Sequence, residues 1–323
     1  SDAGHQPMAN PDGTVWLTYN GEIYNFEILR RELEAKGYRF RSATDSEVVL
    51  RQYEEEGEAC LERFNGMFAF AIWDAPKRKL FLARDRAGQK PLFYFLGADF
   101  IVFGSEVKAL LASNLIVPEI DPSALQAALV YNAMAAPMTI MKGVQQLLPG
   151  HSLTVENGQA KIRRYWNLQE RLAVPGTENH TEAAWIEGFG AHLHRSVRMR
   201  MRSDAPYGAF LSGGLDSSAV VEAMAKAQDD PVRTYAFGFR QKSFDETEYA
   251  AHVAGLFKAD HRNIYSEAPD LPNLVEKVVY HGEEYTPNPC FIPVYLLSQG
   301  ASENVKVILS GDGADELLAG YET

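Results

Sequence analysis

Ser212-Gly213-Gly214-Leu215-Asp216-Ser217-Ser218 decides how this chain is read, because it stands between an apolar run, Tyr207–Leu211, and residues with helical spacing. A second loop of the same make, Ser310-Gly311-Asp312-Gly313-Ala314-Asp315-Glu316, follows the apolar run Val305–Leu309. In a parallel sheet such turns lie at the carboxyl ends of strands, where α/β folds collect ligands. Glycine admits a phosphate close to the main chain, and a helix start offers unpaired N–H groups with the positive end of the dipole. Asp216 and Asp315 are then placed to hold Mg²⁺ between triphosphate oxygens. Two such loops, each with serine and an acid at a helix mouth, predict a nucleotide site.

The composition suits two globular domains with real cores, since 46% of the 323 residues are hydrophobic. A formal charge of −12 argues against nucleic acid or an anionic membrane as partner. No apolar run approaches the roughly 20 residues of a transmembrane helix, and no signal-peptide pattern is present. Cys60 and Cys290 form neither a CxxC motif nor a disulfide framework, which fits a reducing, cytoplasmic setting. Cys60 lies in the helical-looking stretch 59–64 and reads as core.

The two halves differ in rhythm. From Thr14 to about Trp166 short strands follow one another closely, at 15–19, 67–73, 79–83, 91–96 and 100–104, which predicts antiparallel pairing. Phe26, Leu29 and Leu33 repeat at helical spacing as far as Gly37. Thr44-Asp45-Ser46-Glu47 reads as a capping box for a helix carrying Val48, Val49 and Tyr53. Residues 152–155 and 160–165, joined through Asn157-Gly158, read as a hairpin. Residues 173–181, with Pro175 and Gly176, read as a linker. Beyond Thr181 helices and strands alternate: helices at 185–201, 217–226, 246–256, 271–280 and 292–299, strands at 207–211, 234–239, 262–265 and 305–309. That order predicts a doubly wound parallel sheet.

The first loop is not GxxxxGK[ST], since no lysine follows its glycines, and it is not GxGxxG. Leu211-Ser212-Gly213-Gly214-Leu215-Asp216-Ser217-Ser218 resembles the PP-loop of ATP pyrophosphatases. In the first half, Asn20-Gly21-Glu22-Ile23-Tyr24-Asn25, Thr44–Glu47, Gly66-Met67-Phe68-Ala69-Phe70 and Arg84-Asp85 through Gly88, Lys90 and Pro91 resemble a class II glutamine amidotransferase domain. The two in this order are similar to the glutamine-hydrolysing asparagine synthetase family, over nearly the whole chain. The resemblance implies an Ntn-hydrolase-like αββα sandwich in residues 1–168, a linker at 169–181, and a PP-loop ATP pyrophosphatase domain of doubly wound parallel-sheet type in 182–323, both domains incomplete.

The resemblance also implies roles. Asn20 and Gly21 match an oxyanion hole, where fixed donors stabilise developing negative charge. Glu22 and Asp45 match residues that bind the α-amino group of glutamine. Taken alone, Asn20-Gly21 reads as a tight hairpin turn and Asp45 as a helix-start residue. Ser212, Gly213, Gly214, Ser217 and Ser218 match a pyrophosphate cradle, and Asp216 and Asp315 its Mg²⁺ ligands. Phe210, Leu211, Phe237, Gly238, Ser310 and Gly311 match positions that contact adenosine; the side chains of Phe210 and Phe237 read equally well as strand core. Asp312 stands where some members of the family have a glutamate near the acyl-adenylate centre. Glu283, Glu284 and residues 285–289 border the acyl acceptor in the family. His261 and His281 read as solvent or capping residues, and Arg195, Arg198, Arg200 and Arg202 as a solvated or inter-domain face.

The family's N-terminal cysteine nucleophile has no counterpart here, because Ser1-Asp2-Ala3-Gly4-His5-Gln6-Pro7 resembles an internal family segment. An arginine for the glutamine carboxylate and a later lysine for adenylation are likewise unmatched, so the chain as given is expected not to hydrolyse glutamine. The function implied is an ATP- and Mg²⁺-dependent amide-forming ligase. Glutamine would supply ammonia, and aspartate would be activated as an acyl-adenylate with release of pyrophosphate. The alternatives are a relative acting on another acid, such as a β-lactam-forming one, and a non-catalytic ligand-binding or subunit fragment. Homodimerisation is compatible with either.

Overall fold

A computed structural model describes residues 4–172, 181–239, 245–265, 271–283 and 290–321. The chain divides into two compact units, residues 1–174 with 283–287, and residues 175–282 with 288–323. Most of the linker expected at 173–181 lies outside the described residues, as do Ser1–Ala3, Glu284 and residues 285–289.

The first unit opens with strands β1 (Met8–Ala9) and β2 (Val15–Ile23), then helices α1 (Phe26–Ala35), α2 (Asp45–Glu56) and α3 (Cys60–Arg63). Strands β3 (Gly66–Asp74), β4 (Lys79–Arg84), β5 (Phe93–Leu96) and β6 (Ile101–Gly104) follow, with helices α4 (Val107–Leu111) and α5 (Pro122–Tyr131). It closes with β7 (Val144–Gln146), β8 (His151–Glu156), β9 (Gln159–Arg164) and α6 (Gln169–Leu172). Six strands form an antiparallel sheet in the order β1-β2-β3-β4-β8-β9, and three form a second in the order β6-β5-β7.

Strand β3 shows why the layers stack. Successive side chains of a strand point to opposite faces, so Phe68, Phe70 and Ile72 pack with Leu29 and Leu33 of α1 and Val48, Val49 and Tyr53 of α2. Ala69 and Ala71 face the other way, into a core shared with Leu92, Tyr94 and Leu147. The far side of the small sheet packs Phe93 and Val144 against Val107 and Leu110 of α4. Helices, large sheet, small sheet and helix thus make four layers, the expected αββα sandwich. Asn157 and Gly158 both take positive φ, 53° and 75°, in the β8–β9 hairpin expected there.

Sequence and structure part at two places in this unit. Thr44 caps α2 by accepting the Glu47 N–H, but the reciprocal half of the capping box is not made. The Glu47 carboxylate instead takes the N–H groups of Arg41 and Ser42 and the Ser42 hydroxyl, tying down the loop before the helix. The reading also passes over α4, α5 and β7. Helix α5 does carry a start signal, Asp121 with Pro122 at the first helical position, and Asp121 accepts the N–H groups of Ser123 and Ala124. Cys60 is fully buried, and burial pushes its thiol well above the usual range, so it is core as expected.

The second unit contains α7 (Glu182–Arg200), β10 (Tyr207–Phe210), α8 (Leu215–Ala227), β11 (Arg233–Gly238), α9 (Thr247–Leu256) and β12 (Asp260–Tyr265). Then come α10 (Leu271–Gly282), α11 (Phe291–Ser302), β13 (Val307–Leu309) and α12 (Ala314–Leu318). All four strands are parallel, in the order β12-β11-β10-β13. The chain therefore builds outward from β10 to β12 and returns to the other side of β10 for β13. Ala209, Leu211 and Leu309 pack on one face with residues of α7, α8 and α9, while Phe210, Phe237 and Ile308 pack on the other with Leu297 and Ala301 of α11. Helices on both faces make the sheet doubly wound.

His261 on β12 is neither a cap nor a solvent residue. Its Nδ1 lies 2.9 Å from the Thr234 hydroxyl and its Nε2 2.9 Å from Asn263 Oδ1. Burial lowers its pKa below the usual 6.5, outweighing the Asn263 contact, which acts in the opposite sense. A depressed folded pKa means that the unfolded chain binds the proton more readily. This contribution to stability is therefore complete above the unfolded pKa and is lost as pH falls through the folded value. Thermal midpoints should drop between pH 7.5 and 5.5, and His261→Gln should drop less. An unchanged pH dependence in the variant would remove His261 as the cause.

Candidate functional site

In the first unit, the residues matched to the oxyanion hole lie inside β2, not in a turn. Asn20 pairs with Ala69 and Gly21 with Phe68 on β3. Glycine is required there by close approach: a Cβ on Gly21 would lie 2.2 Å from the Met67 carbonyl oxygen. Asn20 and Glu22 share the exposed face of the strand. The Asn20 amide donates to Ser105 Oγ at 3.3 Å, which brings the loop between β6 and α4 to this strand.

Asp45 is the first residue of α2, one past its cap Thr44. Its Oδ2 accepts the Tyr19 hydroxyl at 2.7 Å and the Ile23 N–H at 2.9 Å, so the carboxylate stands beside the strand segment that carries Asn20, Gly21 and Glu22. Burial, then the nearby Asp45 charge, raises the Tyr19 pKa far above the ordinary phenol value, so this hydroxyl stays a donor. The four residues that resemblance assigns to glutamine are therefore gathered in one place. Tyr19 and Ser105 are neighbours that no pattern in the sequence marks, since they join by contacts spanning 26 and 85 residues.

Arg84 and Asp85 belong to the framework. The guanidinium donates to the carbonyls of Lys90, Leu147 and Gly88. The carboxylate, 1% exposed, accepts four backbone N–H groups: Ala87 and Gln89 at Oδ1, Phe68 and Lys90 at Oδ2. Glu283, which clusters with this unit, accepts the Lys108 N–H at 3.1 Å and pairs with the Lys108 ammonium, so its carboxylate is already engaged.

In the second unit the two glycine-rich loops leave adjacent strands. Ala209 of β10 pairs with Leu309 of β13, so both chains emerge side by side where the strand order reverses. This switch point is where ligands enter open α/β sheets. The loops touch: a Cβ on Gly311 would lie 2.8 Å from Asp216 Cβ and 3.0 Å from the Ser217 nitrogen. Gly213 lies as tightly against the start of α9, where an added Cβ would come within 2.6 Å of Tyr249.

The N-caps here are glycines, Gly214 for α8 and Gly313 for α12. Asp216 and Asp315 are not caps; each sits in the first turn with a half-exposed side chain. The serines of the first loop hold its shape. Ser212 Oγ accepts the Gly214 N–H at 3.2 Å and meets Ser217 Oγ at 3.1 Å, and Ser218 Oγ donates to the Gly214 carbonyl at 2.6 Å. In the second loop the Ser310 hydroxyl donates to Asp312 at 2.8 Å.

Leu211 is buried, and the side chains of Phe210 and Phe237 pack toward α11, which leaves main chain to face a ligand at those positions. Gly238 closes β11 with its Cα against the Tyr265 ring. His281 meets the Tyr280 ring edge-on and lies tilted against Tyr295, and Arg195, Arg198 and Arg202 are solvent-exposed. No group of three or more metal-ligating side chains occurs among the described residues. No helix among them is long and apolar enough to cross a membrane.

Residues 1–166 match the glutamine amidotransferase domain family and residues 188–323 the asparagine synthase family. The glutamine-hydrolysing asparagine synthetase 1 of Bacillus subtilis is 36% identical over 319 residues, covering 98% of this chain and 49% of that protein. The putative asparagine synthetase 2 of Methanocaldococcus jannaschii is 34% identical over 342 residues, covering 100% of this chain and 65% of that protein. A putative asparagine synthetase of Mycobacterium tuberculosis is 37% identical over 328 residues, 98% of this chain and 50% of its own. The chain thus spans about half to two thirds of the length of these relatives. On both family matches and these relatives, the chain belongs to the glutamine-hydrolysing asparagine synthetase family.

Proposed function

We propose that this chain comes from an ATP-dependent asparagine synthetase, its first unit from the glutamine-binding half and its second from the adenylating half. Residues 1–168 form the glutamine unit, 169–181 the connector and 182–323 the adenylating unit. The observation that carries the reading is the parallel order β12-β11-β10-β13, which sets Ser212–Ser218 and Ser310–Glu316 side by side at the switch point. In the glutamine unit, Asn20 and the Gly21 N–H act as oxyanion donors, and Glu22 and Asp45 bind the α-ammonium.

In the adenylating unit, the side-chain carboxylate of aspartate attacks the α-phosphorus of ATP and pyrophosphate leaves. Activation is needed because a carboxylate is a poor electrophile. Ammonia then adds to the acyl carbon and AMP departs, leaving the amide. Ser212, Gly213, Gly214, Ser217 and Ser218 cradle the departing pyrophosphate, while the main chain of residues 210, 211, 237, 238, 310 and 311 borders the adenosine. Asp312 stands near the acyl centre.

Mg²⁺ uses few protein carboxylates when phosphates and water complete its shell. Asp216 and Asp315, two half-exposed acids in the first turns behind touching loops, fit that pattern better than an all-protein cage. Mg²⁺ held there would neutralise charge on the leaving pyrophosphate. The setting is cytoplasmic, where ATP and glutamine are supplied.

Product analysis tests the reading. The longest reading frame containing these residues should form AMP and pyrophosphate in equal amounts, with ATP–pyrophosphate exchange that depends on aspartate more than on other acids. Stoichiometric ADP and orthophosphate would sink the assignment, and exchange driven best by another acid would move the substrate.

A further inference from the structure

We infer that Tyr19 is a positioning residue for glutamine recognition, acting through Asp45; this rests on the glutamine reading of the first unit. The Tyr19 phenol and the Ile23 N–H both donate to the same oxygen, Asp45 Oδ2, at 2.7 and 2.9 Å. Two donors on one oxygen fix the carboxylate plane, and no described residue donates to Oδ1. That second oxygen, carrying its share of the charge, is left for an ammonium group.

The phenol is itself held at its root. Gln6 stands where the β1–β2 ladder would continue, because Met8 pairs with Leu17 and the register runs on to Tyr19. The Gln6 side chain makes the pair instead, donating Nε2 to the Tyr19 carbonyl at 2.9 Å and accepting the Tyr19 N–H at 2.6 Å. The ring packs against the core beneath α1 and α2, so Tyr19 is fixed at backbone, ring and hydroxyl, and Asp45 inherits that order. A carboxylate free to rotate would have to be ordered when the ligand binds, and that ordering subtracts from affinity.

The test compares two probes on the whole chain by NMR titration: L-glutamine, and 4-carbamoylbutanoate, which is glutamine without its α-amino group. Tyr19→Phe keeps the ring and removes only the donor. It should weaken L-glutamine about tenfold, in the range of one hydrogen bond to a charged group, and leave 4-carbamoylbutanoate unchanged. Equal loss of both probes would mean a structural role and overturn the proposal. Unchanged glutamine affinity in Tyr19→Phe, with loss in Asp45→Asn, would overturn it while sparing the glutamine reading. If Asp45→Asn has no effect, or the wild type does not prefer glutamine to 4-carbamoylbutanoate, the reading itself falls and Tyr19 with it.

Discussion

Asp85→Ala is expected to cost the first unit roughly 4–6 kcal/mol, enough to leave much of it unfolded when domains hold only about 5–15 kcal/mol. The carboxylate is sealed from water and serves four N–H groups at once, one from β3 and three from the loop after β4. Hydrogen bonds to a charged acceptor contribute about 1.5–3 kcal/mol each, and a stranded buried donor costs about 1–3 kcal/mol, though such terms do not simply add. Asp85→Asn should be nearly as damaging. Its carbonyl oxygen can serve one pair of donors, but its NH₂ then faces the other pair. Urea unfolding, with hydrogen exchange read over residues 66–74, measures the effect. A loss below about 1 kcal/mol would show that water or side chains replace the carboxylate.

Asp216→Asn and Asp315→Asn are expected to lower aspartate-dependent ATP–pyrophosphate exchange by roughly 10²–10³-fold each, as loss of a metal's charge stabilisation of several kcal/mol implies. Their effect on stability should be small. Neither residue caps its helix, so Asn removes only a first-turn charge, worth about 0.3–1 kcal/mol. The two outcomes therefore separate: unaltered melting with lost exchange places the acids on the nucleotide's metal. Exchange near the wild-type level in either variant would end the shared-metal assignment.

What could be read in advance follows from the range of the contacts involved. The helices and strands of the second unit were legible because helical stretches alternate with short strands, apolar in β10, β11 and β13, although β12 (Asp260–Tyr265) is largely polar; the strand order, and with it the switch point, comes from the fold. Strand β3 was legible for another reason: alternating Phe and Ala make a continuous apolar run, the mark of a strand buried on both faces. Asn20-Gly21 misleads because its residue types suit a turn, whereas its glycine answers to Met67, a partner on another strand. Glu47 misleads similarly, since a nearby loop competes for its carboxylate. The resemblance marks Asn20, Glu22 and Asp45 as candidates, but Tyr19, Gln6 and Ser105 reach them through tertiary contacts that no local period encodes. Helix α5 stayed hidden because Leu129, Val130 and Tyr131 are apolar yet exposed, which blurs its amphipathic stripe.

Gly311 has a consequence for how such a chain can diverge. With no room for a methyl group between the second loop and Asp216, the two loops are keyed to one another by an absence. A change in either one alters the space the other must fill. Substitutions on the two sides will therefore combine epistatically, and a variant accepted in one loop depends on its partner's history. The glycine makes a single heritable unit of two segments that lie about a hundred residues apart.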